Sequence, residues 1–164
     1  MNKVATEQPD AASSLRTELG ERPGYLIRRL HQIHVALFLE ECGDELTPVQ
    51  YGVMSVLFAQ PGMDQISLAA EVGIDRTNVA DVLARLEARG MLRRAVCDRD
   101  KRMKRAHLTP AGEGLVRRLE ARMLAAQDRL MAPLPPDRRR AFLALLTELV
   151  DANNAYSRAP ARSG

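Results

Sequence analysis

Apolar residues recur with helical spacing along most of this chain. Leu26, Leu30, Ile33 and Leu37 fall at i, i+4, i+7 and i+11, with Ile27, His34 and Phe38 beside them. That wide apolar face predicts a first helix from Pro23-Gly24 to about Glu41, ended by Gly43. Thr47-Pro48 with Gln50 carries the signature of a capping box and opens a second helix, which stops before Pro61-Gly62. A third helix covers roughly 65–72. Gly73 makes a turn, Asp75 caps a fourth helix that runs to about Arg89, and Gly90 stops it. Residues 91–97 and 103–108 read as two short strands joined through 98–102. Thr109-Pro110 opens a fifth helix to about Met131, and Pro133, Pro135 and Pro136 break it. A sixth follows, with Phe142, Leu145, Leu146 and Leu149 at i, i+3, i+4 and i+7. Residues 1–20 and 157–164 hold no sustained period and are expected to be flexible. The expected fold is mainly α, six helices with a small β-hairpin.

The third and fourth helices meet the steric demands of a helix-turn-helix. Ala69 is small where the next helix must cross, and Gly73, four residues on, tolerates positive φ. Leu68, Val72, Ile74, Val79 and Val82 supply the apolar contacts between the two helices. At 100° per residue, Val79, Val82, Leu83 and Leu86 share the inner face of the fourth helix. Thr77, Ala80, Asp81 and Ala84 lie opposite, flanked by Asn78 and Arg85. Short polar side chains on the outer face suit a helix lying deep in a groove of duplex DNA. Asp81 is the odd member, able to accept from a cytosine amine or to orient Arg85.

Charge sharpens this picture. The net charge is only +3, but Arg93 to Arg105 holds seven basic residues against Asp98 and Asp100. A local basic patch on a near-neutral chain points to a phosphate partner at one place. Aromatics make up 4% and Trp is absent, which argues against stacking on single strands. Candidate DNA contacts are therefore Arg76, Thr77, Asn78, Asp81 and Arg85 on the helix, and Arg99, Lys101, Arg102 and Lys104 on the hairpin. Two cysteines, Cys42 and Cys97, make no disulfide framework and fit a reducing cytoplasm. No apolar run is long enough to span a bilayer, and no signal-peptide core is present. A Gly-rich phosphate loop, an HExxH pair and a nucleophile elbow are all missing, so no catalytic residue and no cofactor is expected. A helical interaction module without DNA binding is the rival class, but it has no use for Arg99, Lys101 and Arg102 at a hairpin tip.

The order of helices, the helix-turn-helix, and Asp100-Lys-Arg102 followed by Leu108-Thr109-Pro-Ala-Gly112 resemble the MarR (multiple antibiotic resistance regulator) family of winged-helix transcription factors. The similarity covers roughly residues 23–155. It implies a homodimer on a pseudo-palindromic double-stranded operator, with residues 21–46 and 110–156 as the helical dimerisation region and 47–109 as the winged lobe. It also implies that Arg102 enters the minor groove while Asp100 braces the wing through an ion pair. The family usually represses transcription and releases DNA when a small ligand binds. Broad apolar faces on the first and sixth helices support a dimer independently, because a short chain has little core of its own to cover them.

The effector is less legible. Tyr25, Arg28, Arg29, His31 and His34 interrupt the apolar first helix with cations and rings. Pro23-Gly24-Tyr25-Leu26 followed by Arg28-Arg29-Leu30-His31 is similar to a branch of the family that responds to aromatic acids or their coenzyme A thioesters. An apolar cleft with a few cationic donors suits such a ligand. The plainer reading leaves the two arginines solvated and the histidines as packing residues. Zinc on His31 and His34, with Glu40, Glu41, Cys42 or His107, lacks a third ligand within reach, and no metal site is expected. Redox sensing by Cys42 or Cys97 is the other alternative; Cys97 adjoins the basic segment, which favours thiolate.

Overall fold

A computed structural model describes residues 19–96 and 104–157. Its elements, in chain order, are α1 (Pro23–Cys42), α2 (Pro48–Ala59), β1 (Met63–Asp64), α3 (Gln65–Val72), α4 (Arg76–Ala88), β2 (Leu92–Val96), β3 (Lys104–Leu108), α5 (Pro110–Met131) and α6 (Pro136–Ala152), closed by a 3-10 turn at Asn154–Tyr156. Among the described residues these six helices and the hairpin match the expected class. Residues 19–21 are also helical, within the stretch expected to be flexible: the Arg22 N–H bonds Leu19 O at 3.2 Å and leads into α1. Residues 1–18 and 158–164 lie outside the described residues, and so does Cys97.

The caps act where the local chemistry directs them. Thr47 Oγ1 accepts from the Gln50 N–H at 3.2 Å while Gln50 Oε1 accepts from the Thr47 N–H at 3.0 Å, a complete capping box. Asp75 caps α4 by accepting from the Asn78 N–H at 2.9 Å. Thr109 caps α5 through the Gly112 N–H.

A single core runs from Phe38 and Cys42 of α1 through Leu46, the inner faces of α2, α3 and α4, and Leu92 and Ala106 of the strands to Leu115, Val116 and Leu119 of α5. The hairpin pairs Leu92 with Leu108 and Val96 with Lys104 in antiparallel register. A third strand was not expected. Met63 and Asp64 pair with Ala106 and Arg105, giving the sheet order β1-β3-β2. Two residues are too short for any alternation to announce a strand.

α1 lies along α5, tied by Arg129 to Glu40 at 2.9 Å and to Glu41 at 2.6 Å, while Arg118 reaches Glu45 beyond the end of α1 at 2.9 Å. The apolar faces of α1 and α6 are covered only in part. Leu26, Ile27 and Ile33 on α1 and Leu143, Leu145, Leu149 and Val150 on α6 are exposed, and α6 buries no residue fully.

Candidate nucleic-acid interface

The helix-turn-helix is built as its sequence demands. Ala69 is 2% exposed beneath the crossing, and Leu68 and Val79 are buried. Gly73 takes φ 73°, ψ 32°, the left-handed conformation that side-chain-bearing residues rarely adopt. A Cβ there would meet nothing, so the requirement at Gly73 is conformational rather than spatial. The N–H groups of Gly73 and Ile74 both bond Ala69 O, at 3.0 and 3.1 Å, which closes the turn.

α4 then turns Arg76, Thr77, Asn78, Asp81, Ala84 and Arg85 outward, all exposed. Two of these residues have local constraints. Asn78 Nδ2 donates to Asp75 Oδ2 at 2.7 Å, which ties the amide to the capping carboxylate. The Arg76 carbonyl accepts from Gln65 Nε2 at 3.1 Å, tying the start of α4 to α3. Among the described residues no ion pair joins Asp81 to Arg85, so the orienting role considered for Asp81 has no contact behind it.

The hairpin stands beside this face. Arg93, Lys104 and Arg105 are exposed, and Arg105 Nη1 donates to Gly62 O at 3.2 Å. Arg94 shares with Lys104 the hairpin face opposite Arg93 and Arg105, and meets Glu87 at the end of α4, with Nε 2.7 Å from Oε2. The Arg94 fork holds the Glu87 carboxyl below its ordinary pKa. Sequence reasoning counted Arg94 only as one more cation. The signal was Glu87, seven residues upstream across a glycine turn that folds the strand back on the helix. Arg99, Asp100, Lys101 and Arg102 lie outside the described residues.

At the base of the hairpin, Thr109 and Gly112 lock α5 to the strand start. Thr109 Oγ1 donates to Gly90 O at 2.7 Å, and the Thr109 N–H bonds Met91 O at 3.0 Å. A Cβ on Gly112 would sit 2.0 Å from that Met91 oxygen. The Leu-Thr-x-x-Gly pattern therefore has a steric reason: only glycine lets the first turn of α5 cross so close to the chain.

Asp64, at the N-terminus of α3, is pulled two ways. Burial would raise its carboxyl pKa, but the Ser67 N–H and hydroxyl and the Ile66 N–H outweigh that and hold it below the ordinary value.

The candidate effector residues on α1 do not converge. Arg28, Arg29 and His31 are exposed, Tyr25 is half-buried, and the Arg28 guanidinium stands over the Tyr25 ring at 5.6 Å. His34 is half-buried, with its ring 6.4 Å from that of His31. Burial, and then the charge of His31, lower its pKa. Of the five, only His34 lines a groove of about 480 Å³ between α1, α5 and α6, together with Leu30, Met131, Arg139, Phe142 and Leu146. Cys42 is buried and its thiol is pushed up by that burial, against the pull of Arg122, which disfavours a reactive thiolate. Among the described residues, no three His, Cys, Asp or Glu side chains are placed to hold a metal, and no helix is long and apolar enough to cross a membrane.

Known proteins share this architecture. The MarR family model matches residues 46–104. The PcaV transcriptional regulator of Streptomyces coelicolor, solved with its natural ligand, is 36% identical, with 82% of this chain and 95% of that one covered and a TM-score of 0.78. BpsR of Bordetella bronchiseptica, whose DNA binding is regulated by 6-hydroxynicotinic acid, is 30% identical over 80% of this chain and 94% of that one, at a TM-score of 0.77. The repressor CouR, solved on a 23-mer DNA duplex, is 32% identical over 81% and 95%, at a TM-score of 0.75, and has also been solved with p-coumaroyl-CoA. With the winged helix-turn-helix in place and relatives of this identity across nearly their whole length, the chain belongs to the MarR family and is a transcriptional regulator.

Proposed function

We propose that this chain is a dimeric repressor, working in the cytoplasm, that leaves a pseudo-palindromic operator when an aromatic carboxylate or its coenzyme A thioester binds. The observation that carries the DNA-binding half is the outward face of α4, small and polar from Arg76 to Arg85, set beside a hairpin whose arms carry Arg93, Lys104 and Arg105. A helix of that kind reads base edges in the major groove, and a cationic hairpin reaches the adjacent minor groove. Arg99, Lys101 and Arg102, between the two strands in the sequence, add to that charge, and Arg102 is the residue assigned to the minor groove, with Asp100 bracing the wing. Residues 21–46 and 110–156 form the dimerisation region, and the bare apolar faces of α1 and α6 are what the second copy covers. Two half-sites about 34–36 Å apart would then meet the two recognition helices.

The effector half draws on the relatives: BpsR answers to 6-hydroxynicotinic acid and CouR binds p-coumaroyl-CoA. On this chain Tyr25, Arg28, Arg29, His31 and His34 offer rings and cationic donors on α1. A ligand releases DNA only by binding the DNA-incompetent geometry more tightly, and coupling of about 1–3 kcal/mol lowers affinity roughly 5–150-fold.

The test is a duplex enriched from a random pool by the wild-type chain, then titrated with wild type, Arg102→Ala, and a panel of benzoates, cinnamates and their thioesters. Arg102→Ala should weaken binding strongly; equal affinity rejects the wing contact. At least one ligand should release the duplex from wild type and do so less from Arg28→Ala or Arg29→Ala. If none does, the effector class is wrong while the DNA reading stands.

A further inference from the structure

We infer that Glu87 and Arg94 are positioning residues for DNA recognition, a clamp that fixes the wing at one angle to the recognition helix. The inference rests on the DNA-binding reading above. Glu87 lies in the last turn of α4 and Arg94 in the middle of β2. Both carboxylate oxygens are committed. Oε2 accepts from Arg94 Nε at 2.7 Å and from Nη2 at 2.5 Å, and Oε1 accepts from the Arg94 backbone N–H at 2.9 Å. β2 is an edge strand, so this amide has no neighbouring strand to bond; Glu87 takes it. One side chain thus holds both the backbone and the guanidinium of the same wing residue, with two guanidinium N–H groups converging on one carboxylate oxygen.

Leu92 and Ala106 root the base of the hairpin in the core, and the clamp acts beyond them. A groove of about 240 Å³, lined among others by Ile66, Leu83, Arg94 and Lys104, opens between the hairpin and the helix-turn-helix. A two-stranded hairpin is marginal by itself in water. β1 steadies β3 only at Arg105 and Ala106, and β2 is joined to α4 across the groove by the clamp. A wing free to swing must be ordered at the moment of binding, which costs affinity for a site that demands one geometry. Charge-driven contact with arbitrary DNA demands no fixed geometry.

This separates the clamp from simple electrostatics. Glu87→Gln removes a negative charge close to the DNA face and frees Arg94. Electrostatics alone predicts tighter binding to every duplex. The clamp predicts roughly tenfold weaker binding to the selected duplex, from the loss of a charge-assisted fork, with binding to random-sequence duplex unchanged or tighter. Arg94→Lys keeps the charge and the backbone bond but not the fork, and should fall in the same way. Glu87→Gln combined with Arg94→Gln should be no weaker than either alone. Anisotropy titrations of the full chain on both duplexes, with thermal midpoints measured alongside, read this out. Tighter binding on both duplexes, or an equal loss on both, overturns the clamp. Wild type failing to enrich any duplex would instead sink the DNA-binding reading. The clamp then stands or falls on amide hydrogen exchange without DNA: Glu87→Gln should speed exchange at the Arg94 amide at least tenfold and leave the α2 amides alone, and unchanged exchange at Arg94 refutes it.

Discussion

Two glycines in the first turns of α5 give an internal control for a steric claim. Gly112 and Gly114 sit two residues apart in one helix, and neither has the positive φ that would by itself require glycine. An alanine at Gly114 meets nothing within 4 Å. One at Gly112 places its Cβ 2.0 Å from Met91 O and 3.0 Å from Met91 C. Relief demands a backbone shift of more than an ångström, since ordinary contact begins near 3.4 Å. The shift pulls on the Thr109 N–H bond to Met91 O and on the Thr109 hydroxyl bonds to Gly90 O and Met91 O. Overpacking of this kind costs about 1–3 kcal/mol, more where backbone must move. Against it stands the gain of about 0.4–1 kcal/mol that alanine brings by restricting the unfolded chain. Gly112→Ala should therefore lose roughly 2 kcal/mol or more, while Gly114→Ala stays level or gains up to about 1 kcal/mol. For a chain this size that separates their thermal midpoints by roughly 5–10 °C. Urea and thermal unfolding at one fixed protomer concentration measure it, because linked dimerisation makes midpoints concentration-dependent. Equal stability of the two variants would refute the account of the Leu-Thr-x-x-Gly pattern.

Three further outcomes are expected. Leu149 is 59% exposed on α6, so Leu149→Glu should leave the protomer folded by circular dichroism yet halve the mass in sedimentation; an unchanged mass would remove that face from the dimer interface. Burial, and then the charge of His31, lower the folded pKa of His34 below its unfolded value, so its contribution to stability is whole above about pH 6.5 and fades as pH falls below that. His34→Gln should flatten the loss of urea midpoint between pH 7 and pH 5, and an identical slope in the variant counts against the assignment. Arg93→Ala should lower the salt slope of DNA binding by about one counterion, whereas Arg118→Ala, whose charge is held by Glu45, should not change it; equal slopes for both variants would take Arg93 off the phosphates.

What the sequence carried depended on how far apart the cooperating atoms lie. Thr47 with Gln50, Asp75 with Asn78, and Thr109 with Gly112 are three residues apart, so their caps are written locally and the helix starts follow from them. Gly73 announces itself because only its own φ matters. β1 is two residues long and exists only because β3 offers an edge. Gly112 reads as a weak helix residue until Met91, 21 positions earlier, comes to lie against it. The candidate effector residues failed to converge for a related reason. Periodicity placed Tyr25, Arg28, Arg29 and His31 on a helix, but whether they share a cleft is decided by what covers α1, and one copy of the chain leaves that side open.

Net charge conceals a division that pairing reveals. On the helical side, Arg118 and Arg129 are matched to Glu45, Glu40 and Glu41 along the α1–α5 seam, and Arg117 lies over the Phe58 ring at 4.6 Å. Those cations are spent within the chain, exposed pairs worth little each but giving the seam its alignment. On the winged lobe, among the described residues, Arg94 alone is in an ion pair, with Glu87. Arg76, Arg85, Arg93 and Lys104, all exposed on the helix-turn-helix or the hairpin, form no ion pair among the described residues. Duplex DNA rewards unneutralised cations, since only these displace its counterions. A chain of net charge +3 can therefore present a cationic face, because part of its acid complement, Glu40, Glu41 and Glu45, is paired along the helical seam. By the same logic Asp81, the one acid left outward on α4, is unfavourable toward the backbone and useful only toward a base, which makes it the position where affinity would be given up for sequence preference.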